Sequence, residues 1–466
     1  MAHFKIALPI QTYQTRNKDV SDQRLLNMYV EQMPENSKES VSLYNTPGLK
    51  PFLEVAQTPI YGLHYMNPYL YVFSGQNVYR VDKNGAVVDL GNIGKIKGLV
   101  RTADNGTQIL AIKPNGEGYI VTADDAFKVT SENFPSASDV AFNSQYFVVI
   151  ERGSGRFHWS ALLDGTSWDA LAYATQESNP DNAVGLMENR GDLWIFGDTT
   201  TEVWTPTGNA DLPFQRIGSG ILNIGCKAPR TIAKDKNGIY WLGSDLQVHF
   251  AQGYNEMRIS THDIERELLE DYDIDDVINA YAFTYSAGGH DFYVLTIRNT
   301  KTWVFDMTTK VWHERKTKDM NVWLPMCAAN AFNKNIVGDM LGGNLYELDS
   351  NYYFDGNLPI EREIIFPPVF AEDNRLVMDK MYLDMTTAPS DDLQDNPRIM
   401  LMFSDDGGNL WSSEHWRELG KTGAYKKRVI WRSLGQTRQR IFKLRITDSI
   451  KVNISGLYCE GEERYA

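Results

Sequence analysis

Short apolar runs separated by polar turns dominate this chain. One unit recurs: an apolar strand, a turn rich in Gly, Asp and Asn, and a second strand. It reads as "YLYVFSGQNVYRVDKNG" from Tyr69, "QILAIKPNGEGYIVTADD" from Gln108 and "QYFVVIERGSGRFHWSALLDG" from Gln145. It returns from Asp192, Gly238, His290 and Lys334. Successive starts lie 39, 37, 47, 46, 52 and 44 residues apart, close to the period of β-propeller blades. A small sheet of this kind must bury its faces against its neighbours, so a run of them implies closure into a ring. The pattern predicts an all-β chain with β-propeller-like repeats, about six to seven blades, over residues 51–355. The same strands arranged as β-meanders in two sandwiches are the alternative.

Two regions break the repeat. "THDIERELLEDYDIDDVINAYAF" (Thr261 to Phe283) is predicted to carry a helical insertion near 261–279. Thr261 is placed to cap it, and Ile264, Leu268, Leu269 and Tyr272 fall on one face. Beyond about Gly356 the chain becomes strand pairs around a polar loop, "APSDDLQDNP". Residues 356–466 read as a C-terminal antiparallel β-domain, sandwich-like. Residues 1–50 are mixed and turn-rich, an N-terminal arm or a platform segment of another layer.

A hairpin in that last domain has its own signature. "SDDGGNLW" at 404–411 matches S-x-D-x-G-x-x-W and resembles the Asp-box hairpin of sialidases and other β-propeller glycosidases. Adjacent glycines allow a tight turn with positive φ. Ser404, Asp406 and Gly408 sit between two apolar runs; Asp406 can hold the loop shut by accepting backbone hydrogen bonds, and Trp411 supplies an apolar plate beneath the turn. None of this requires a substrate, so the motif reads as a folding device. Leu410 also stands where that motif usually has Thr.

Composition narrows the function classes. A hydrophobic fraction of 42% with 12% aromatics supports substantial cores. The formal net charge of −14 argues against nucleic-acid binding by the surface at large. The start shows no basic segment followed by an apolar run, and no stretch is apolar for long enough to cross a membrane. Cys226, Cys327 and Cys459 are far apart, as buried or free thiols of a reducing cytoplasm would be. The eight histidines show no metal-binding spacing, and neither a phosphate-binding loop nor a nucleophile elbow is present. No catalytic, cofactor or metal site is expected, although paired carboxylates of a glycosidase could still meet in space.

Charge is uneven. Residues 421–451 contain ten Lys/Arg and one acid, Asp448, a balance of +9, which leaves −23 for the rest of the −14 chain. Lys426, Lys427, Arg428, Arg432, Arg438, Arg440, Lys443 and Arg445 form the candidate strip. Arg438 and Arg440 alternate with Thr437, Gln439 and Ile441, and Lys443 and Arg445 with Phe442, Leu444 and Ile446, so period two sets the basic side chains of each segment on one strand face. The strip reads as a solvated face, as a contact to an acidic surface of another subunit, or as a nucleic-acid contact beside Trp431.

Several strings together resemble the packaged-DNA stabilisation family of short-tailed bacteriophages, the tail hub or nozzle proteins. They are "LLNMYVEQMPENS", "YNTPGLKPF", "GDLWIFGDTTTEVWTPTG", "FSDDGGNLWSSE", "KKRVIWRSLGQTRQRIFKLRITD" and "ISGLYCEGE". The resemblance implies a non-enzymatic virion protein, assembled in the host cytoplasm as a homohexameric ring. It implies portal and adaptor rings above, a tail needle and tailspikes as further partners, and packaged DNA passing through without sequence-specific contact. A carbohydrate-binding or glycan-cleaving propeller, a depolymerase or receptor-binding protein, is the competing class, since the chain has 11 Trp and 24 Tyr.

Overall fold

A computed structural model describes residues 2–16, 20–176, 179–371, 374–388, 397–419 and 428–464. Among them, seven four-stranded units follow one another around a ring. Five are separate sheets, and two continue into larger ones. Each repeat start seen in the sequence falls at the second strand of a blade: Tyr69–Ser74, Ile109–Ile112, Tyr146–Glu151, Asp192–Gly197, Ile239–Leu242, His290–Ile297 and Lys334–Asp339. These strands are buried on both faces, as Ile109–Ile112 and His290–Ile297 are throughout, so they read as continuous apolar runs.

Seven apolar clusters fill the seven blade interfaces. One joins Phe73 and Ile93 to Ile109 and Val121 between the first two blades. Another joins Ala331, Ile336 and Leu345 to Ile60, Leu70 and Val72, where the last blade meets the first. The ring is therefore closed by packing all the way round.

The seventh blade takes its outer strand from the other end of the chain. Gly48–Ala56 pairs antiparallel with Gly343–Asp349, Leu49 opposite Leu348 and Leu53 opposite Leu345. A Cβ on Gly48 would lie 2.1 Å from the Tyr352 carbonyl oxygen, so only glycine admits this approach.

The C-terminal domain is a sandwich of two sheets around one core that includes Met381, Trp431, Phe442, Leu444 and Leu457. One sheet runs Met28–Gln32, Val41–Asn45, Lys451–Arg464, Arg375–Ala388 and Val429–Arg432, with Ala2–Ile6 paired to Lys451–Arg464. The other runs Asp22–Leu26, Arg362–Ile365, Gln439–Ile446, Arg398–Ser404 and His415–Glu418. The first fifty residues are thus no free arm. They supply strands to both sandwich sheets, and Leu26 also bridges in parallel to Glu314 of the sixth blade. One sheet therefore runs from that blade into the sandwich.

The insertion differs from one regular helix. His262–Arg266 is α-helical, Glu267–Asp271 widens into a π turn, and Ile274–Ile278 forms a second short helix. Ile264, Leu268 and Val277 are buried, but Leu269 is 69% exposed. The wider turn, closed by Tyr272 N–H to the Glu267 carbonyl at 3.0 Å, rotates Leu269 off the buried face. The Thr261 hydroxyl bonds the Asp263 carboxylate and caps no amide, whereas Asp273 caps the second helix by accepting from Asp275 N–H at 2.8 Å.

Candidate functional site

The hairpin holds itself shut as its sequence suggests. Ser404 Oγ accepts from Gly408 N–H at 2.9 Å and donates to Asp406 Oδ1 at 2.7 Å. Asp406 Oδ1 accepts from Leu410 N–H at 2.9 Å. That amide, with the Ser404 hydroxyl, holds the Asp406 carboxyl below its usual range. Gly407 and Gly408 have φ of 70° and 85°. Trp411 is only half-buried, and the Lys443 ammonium sits 3.9 Å from its ring centroid. With the ring partly in water, Trp411→Ala is expected to cost about 1–2 kcal/mol, less than a core tryptophan. Urea unfolding of the two proteins measures it, and a loss above about 3 kcal/mol would contradict the placement.

Asp405, an unspecified position of that motif, anchors the strand behind it. Arg440 donates to both its carboxylate oxygens, Nε at 2.6 Å and Nη2 at 2.7 Å, and to the Leu434 carbonyl at 2.6 Å. Its guanidinium lies 4.0 Å from the Phe403 ring centroid, and the residue is 2% exposed. Arg440 shares the inner face of Gln439–Ile446 with Phe442, Leu444 and Ile446, so it holds the core and leaves the strip.

The other strip residues separate as well. Lys443 and Arg445 sit on the outer face of that strand. Lys443 lies 4.0 Å from Glu363, and burial pulls its ammonium below the usual range. Arg445 reaches Glu361 at 3.5 Å and Glu414 at 4.0 Å. Arg428 precedes and Arg432 ends the edge strand Val429–Arg432 of the opposite sheet, and Arg438 precedes Gln439–Ile446; all three are exposed. None of the three has a carboxylate at ion-pair distance among the described residues. Lys426 and Lys427, with most of the "APSDDLQDNP" loop, lie outside the described residues.

A buried ionic cluster at the junction of propeller and sandwich has no counterpart in the sequence reading. Arg24 donates to Glu314 of the sixth blade at 2.7 Å and to Glu363 of the sandwich at 2.9 Å. Lys301 lies 3.5 Å from Glu314 and 3.1 Å from Glu267. Burial opposes the charge on Arg24, but the two carboxylates hold its pKa well above the ordinary value. The signal was there in part: charged residues interrupt the apolar runs "QRLLNM", "VWHER" and "REIIF".

His313 sits beside this cluster, 1% exposed, with both ring nitrogens lacking a hydrogen-bond partner among the described residues. Burial pulls its pKa down to about 3, against the pull of Asp306. Between that value and the ordinary one near 6.5, the unfolded chain holds a proton that the folded chain refuses. Its contribution to stability is therefore lost as pH falls. From pH 7 to pH 5 this residue is expected to cost about 2 kcal/mol. Unfolding free energies at both pH values, compared with His313→Leu, measure it, and equal slopes would contradict it.

The aromatic residues mostly serve the core. Nine of the tryptophans are at most 5% exposed, Trp194, Trp241 and Trp303 among them. The propeller axis is also bridged: Arg101, on the inner strand of the second blade, donates across it to the Pro229 carbonyl at the approach to the fifth.

Family models match both the propeller and the sandwich part of the chain. Residues 6–353 match the family model described as Bacteriophage P22 Gp10, beta-propeller, and residues 361–462 match Bacteriophage P22 Gp10, beta-sandwich. The chain is 25% identical over 423 residues to the tail hub protein gp10 of Salmonella phage P22, covering 81% of this chain and 84% of that one. Among solved structures, a chain of the mitotic checkpoint complex aligns at TM-score 0.40 and 14% identity, over 68% of this chain and 96% of its own. The computationally designed Ika8 protein aligns at TM-score 0.40 and 12% identity, over 65% of this chain and 99% of its own.

Proposed function

Since this chain belongs to the P22 Gp10 family of bacteriophage tail hub proteins, we propose that it closes the phage tail below the portal and adaptor rings. In this reading it retains the packaged DNA and forms part of the ejection channel as one subunit of a homohexameric ring. It is assembled in the host cytoplasm and supports the tail needle and tailspikes. The observation that carries the reading is the match of both family models, which together span nearly the whole chain.

Two physical features support it. The N-terminal strands lock propeller and sandwich into one body, as a part under load from compressed DNA requires. The propeller axis is bridged by Arg101 and Pro229, so a duplex must pass between subunits, along the axis of a ring. A homo-oligomeric ring uses heterologous contacts that close on themselves. Among the described residues, Arg428, Arg432 and Arg438 are exposed cations of the strip with no carboxylate at ion-pair distance, and contacts to an acidic neighbour would set encounter rate and register.

Arg428→Glu, Arg432→Glu and Arg438→Glu together are therefore expected to leave the monomer folded and to block its addition to tails. Circular dichroism reads the fold, and negative-stain counting of tails reads the addition. Normal tails built from the triple variant would return these arginines to the solvated surface.

A further inference from the structure

We propose that one mouth of the propeller's central channel is a binding site for a compact, multiply charged phosphate group carried by a small molecule. This goes beyond the tail-hub reading and does not depend on it. The site is built where the loops leading into the innermost strands meet the turns between second and third strands. Lys95, Lys97, Arg230 and Arg298 line a single cavity of about 550 Å³ there, together with Tyr61, Pro114 and Met326. These residues come from the first, second, fifth, sixth and seventh blades, so the cavity lies on the ring axis.

Charge is concentrated at this mouth in a chain whose formal net charge is −14. Lys95, Lys97, Arg152, Arg230 and Arg298 have no carboxylate at ion-pair distance among the described residues. Arg230 Nη1 is buried and makes no hydrogen bond there. Arg101 and Arg152 stand close behind it, and burial with these neighbours pulls the Arg230 guanidinium down to about 9. Two carboxylates near the mouth are already engaged: Asp276 accepts from Asn299 Nδ2 at 3.3 Å and from Thr300 Oγ1 at 3.2 Å, and Asp139, which acts on Arg230, is held as well. Asp139 lies 3.4 Å from Arg101 Nε and accepts from Leu186 N–H at 3.1 Å.

Holding these cations together without an anion is unfavourable, because like charges repel, most of all around the buried Arg230 Nη1. A guanidinium with an unused N–H fits an oxyanion through its fork, and lysines add point charges. A single carboxylate would answer one of these cations; a phosphate chain answers several at once. The cavity has the size of a small-ligand site, with an apolar wall for the rest of the molecule.

The test uses the full chain and inorganic tripolyphosphate in isothermal titration calorimetry. One tripolyphosphate per chain is expected, with affinity falling as salt rises. Lys97→Gln and Arg298→Gln, both on exposed loops, are each expected to weaken binding by about tenfold without changing the melting temperature. Arg432→Gln, on the sandwich, is expected to change nothing. Arg230→Gln is read only beside these, because it removes a partly buried side chain. No heat of binding, an equal loss in Arg432→Gln, or tighter binding of a polyglutamate peptide would overturn the proposal, the last by giving the mouth to an acidic protein segment.

Discussion

Arg24→Met is expected to remove about 3–5 kcal/mol of stability, the largest loss of any single substitution described above. Arg24 is the bridge between a blade carboxylate, Glu314, and a sandwich carboxylate, Glu363. Glu314 is 2% exposed. Without Arg24, its charge is left in the interior with only Lys301, 3.5 Å away, to answer it. Breaking a buried pair on one side costs more than the pair contributes net, because the orphaned ion cannot recover its hydration. Adding Glu314→Gln should recover part of the loss by removing that ion. Urea unfolding of wild type, single and double variants reads both effects. A single-variant loss below about 1 kcal/mol, or no recovery in the double, would contradict the account of the junction.

Deleting residues 1–56 is expected to abolish cooperative folding of both domains. The deletion takes the outer strand from the seventh blade, where Leu49 is fully buried against Leu348 and Tyr346. It also takes Asp22–Leu26, Met28–Gln32 and Val41–Asn45 from the two sandwich sheets. A blade short of a strand exposes unpaired edge groups and opens the ring. Leu25, Met28, Val30 and Leu43 leave the sandwich core at the same time. Intrinsic fluorescence and calorimetry of the truncated chain check this. A sharp melting transition would show that these residues are a dispensable arm after all.

The contrast between those two readings shows where the sequence was informative. The second strand of each blade is mostly buried on both faces, so its apolar run stood out, and the repeat starts fell on it. Outer strands such as Ala126–Lys128 and Asn255–Arg258 are largely exposed, and the inner strand Ala233–Lys234 is only two residues long; such strands leave little local pattern. The partner of Gly343–Asp349 lies almost three hundred residues earlier, and no local periodicity encodes a pairing that distant. The hairpin was legible because its hydrogen bonds are local: Ser404, Asp406 and Gly408 act within five residues.

The basic strip was legible as composition and not as a surface. Grouping Arg440 with Lys443 and Arg445 in one strip missed that it lies on the other face of Gln439–Ile446, because only the packed sandwich shows which face is the core. Arg440, one of the eight residues of the strip, is buried against Asp405 and Phe403. Burial of the junction cluster was hidden for the same reason. Arg24, Glu314 and Glu363 each look like an ordinary surface charge until three distant strands meet.

Retention of packaged DNA tests the central claim most directly. Heads filled in the absence of this protein, then supplied with purified wild-type chain or with the Arg428, Arg432 and Arg438 charge-reversal variant, can be challenged with nuclease and their remaining DNA measured. A tail hub that closes the particle protects the DNA when the wild-type chain is added, while the variant leaves it digested as in particles given nothing. Full protection without the chain, or digestion despite wild-type chain bound to every head, would contradict the account.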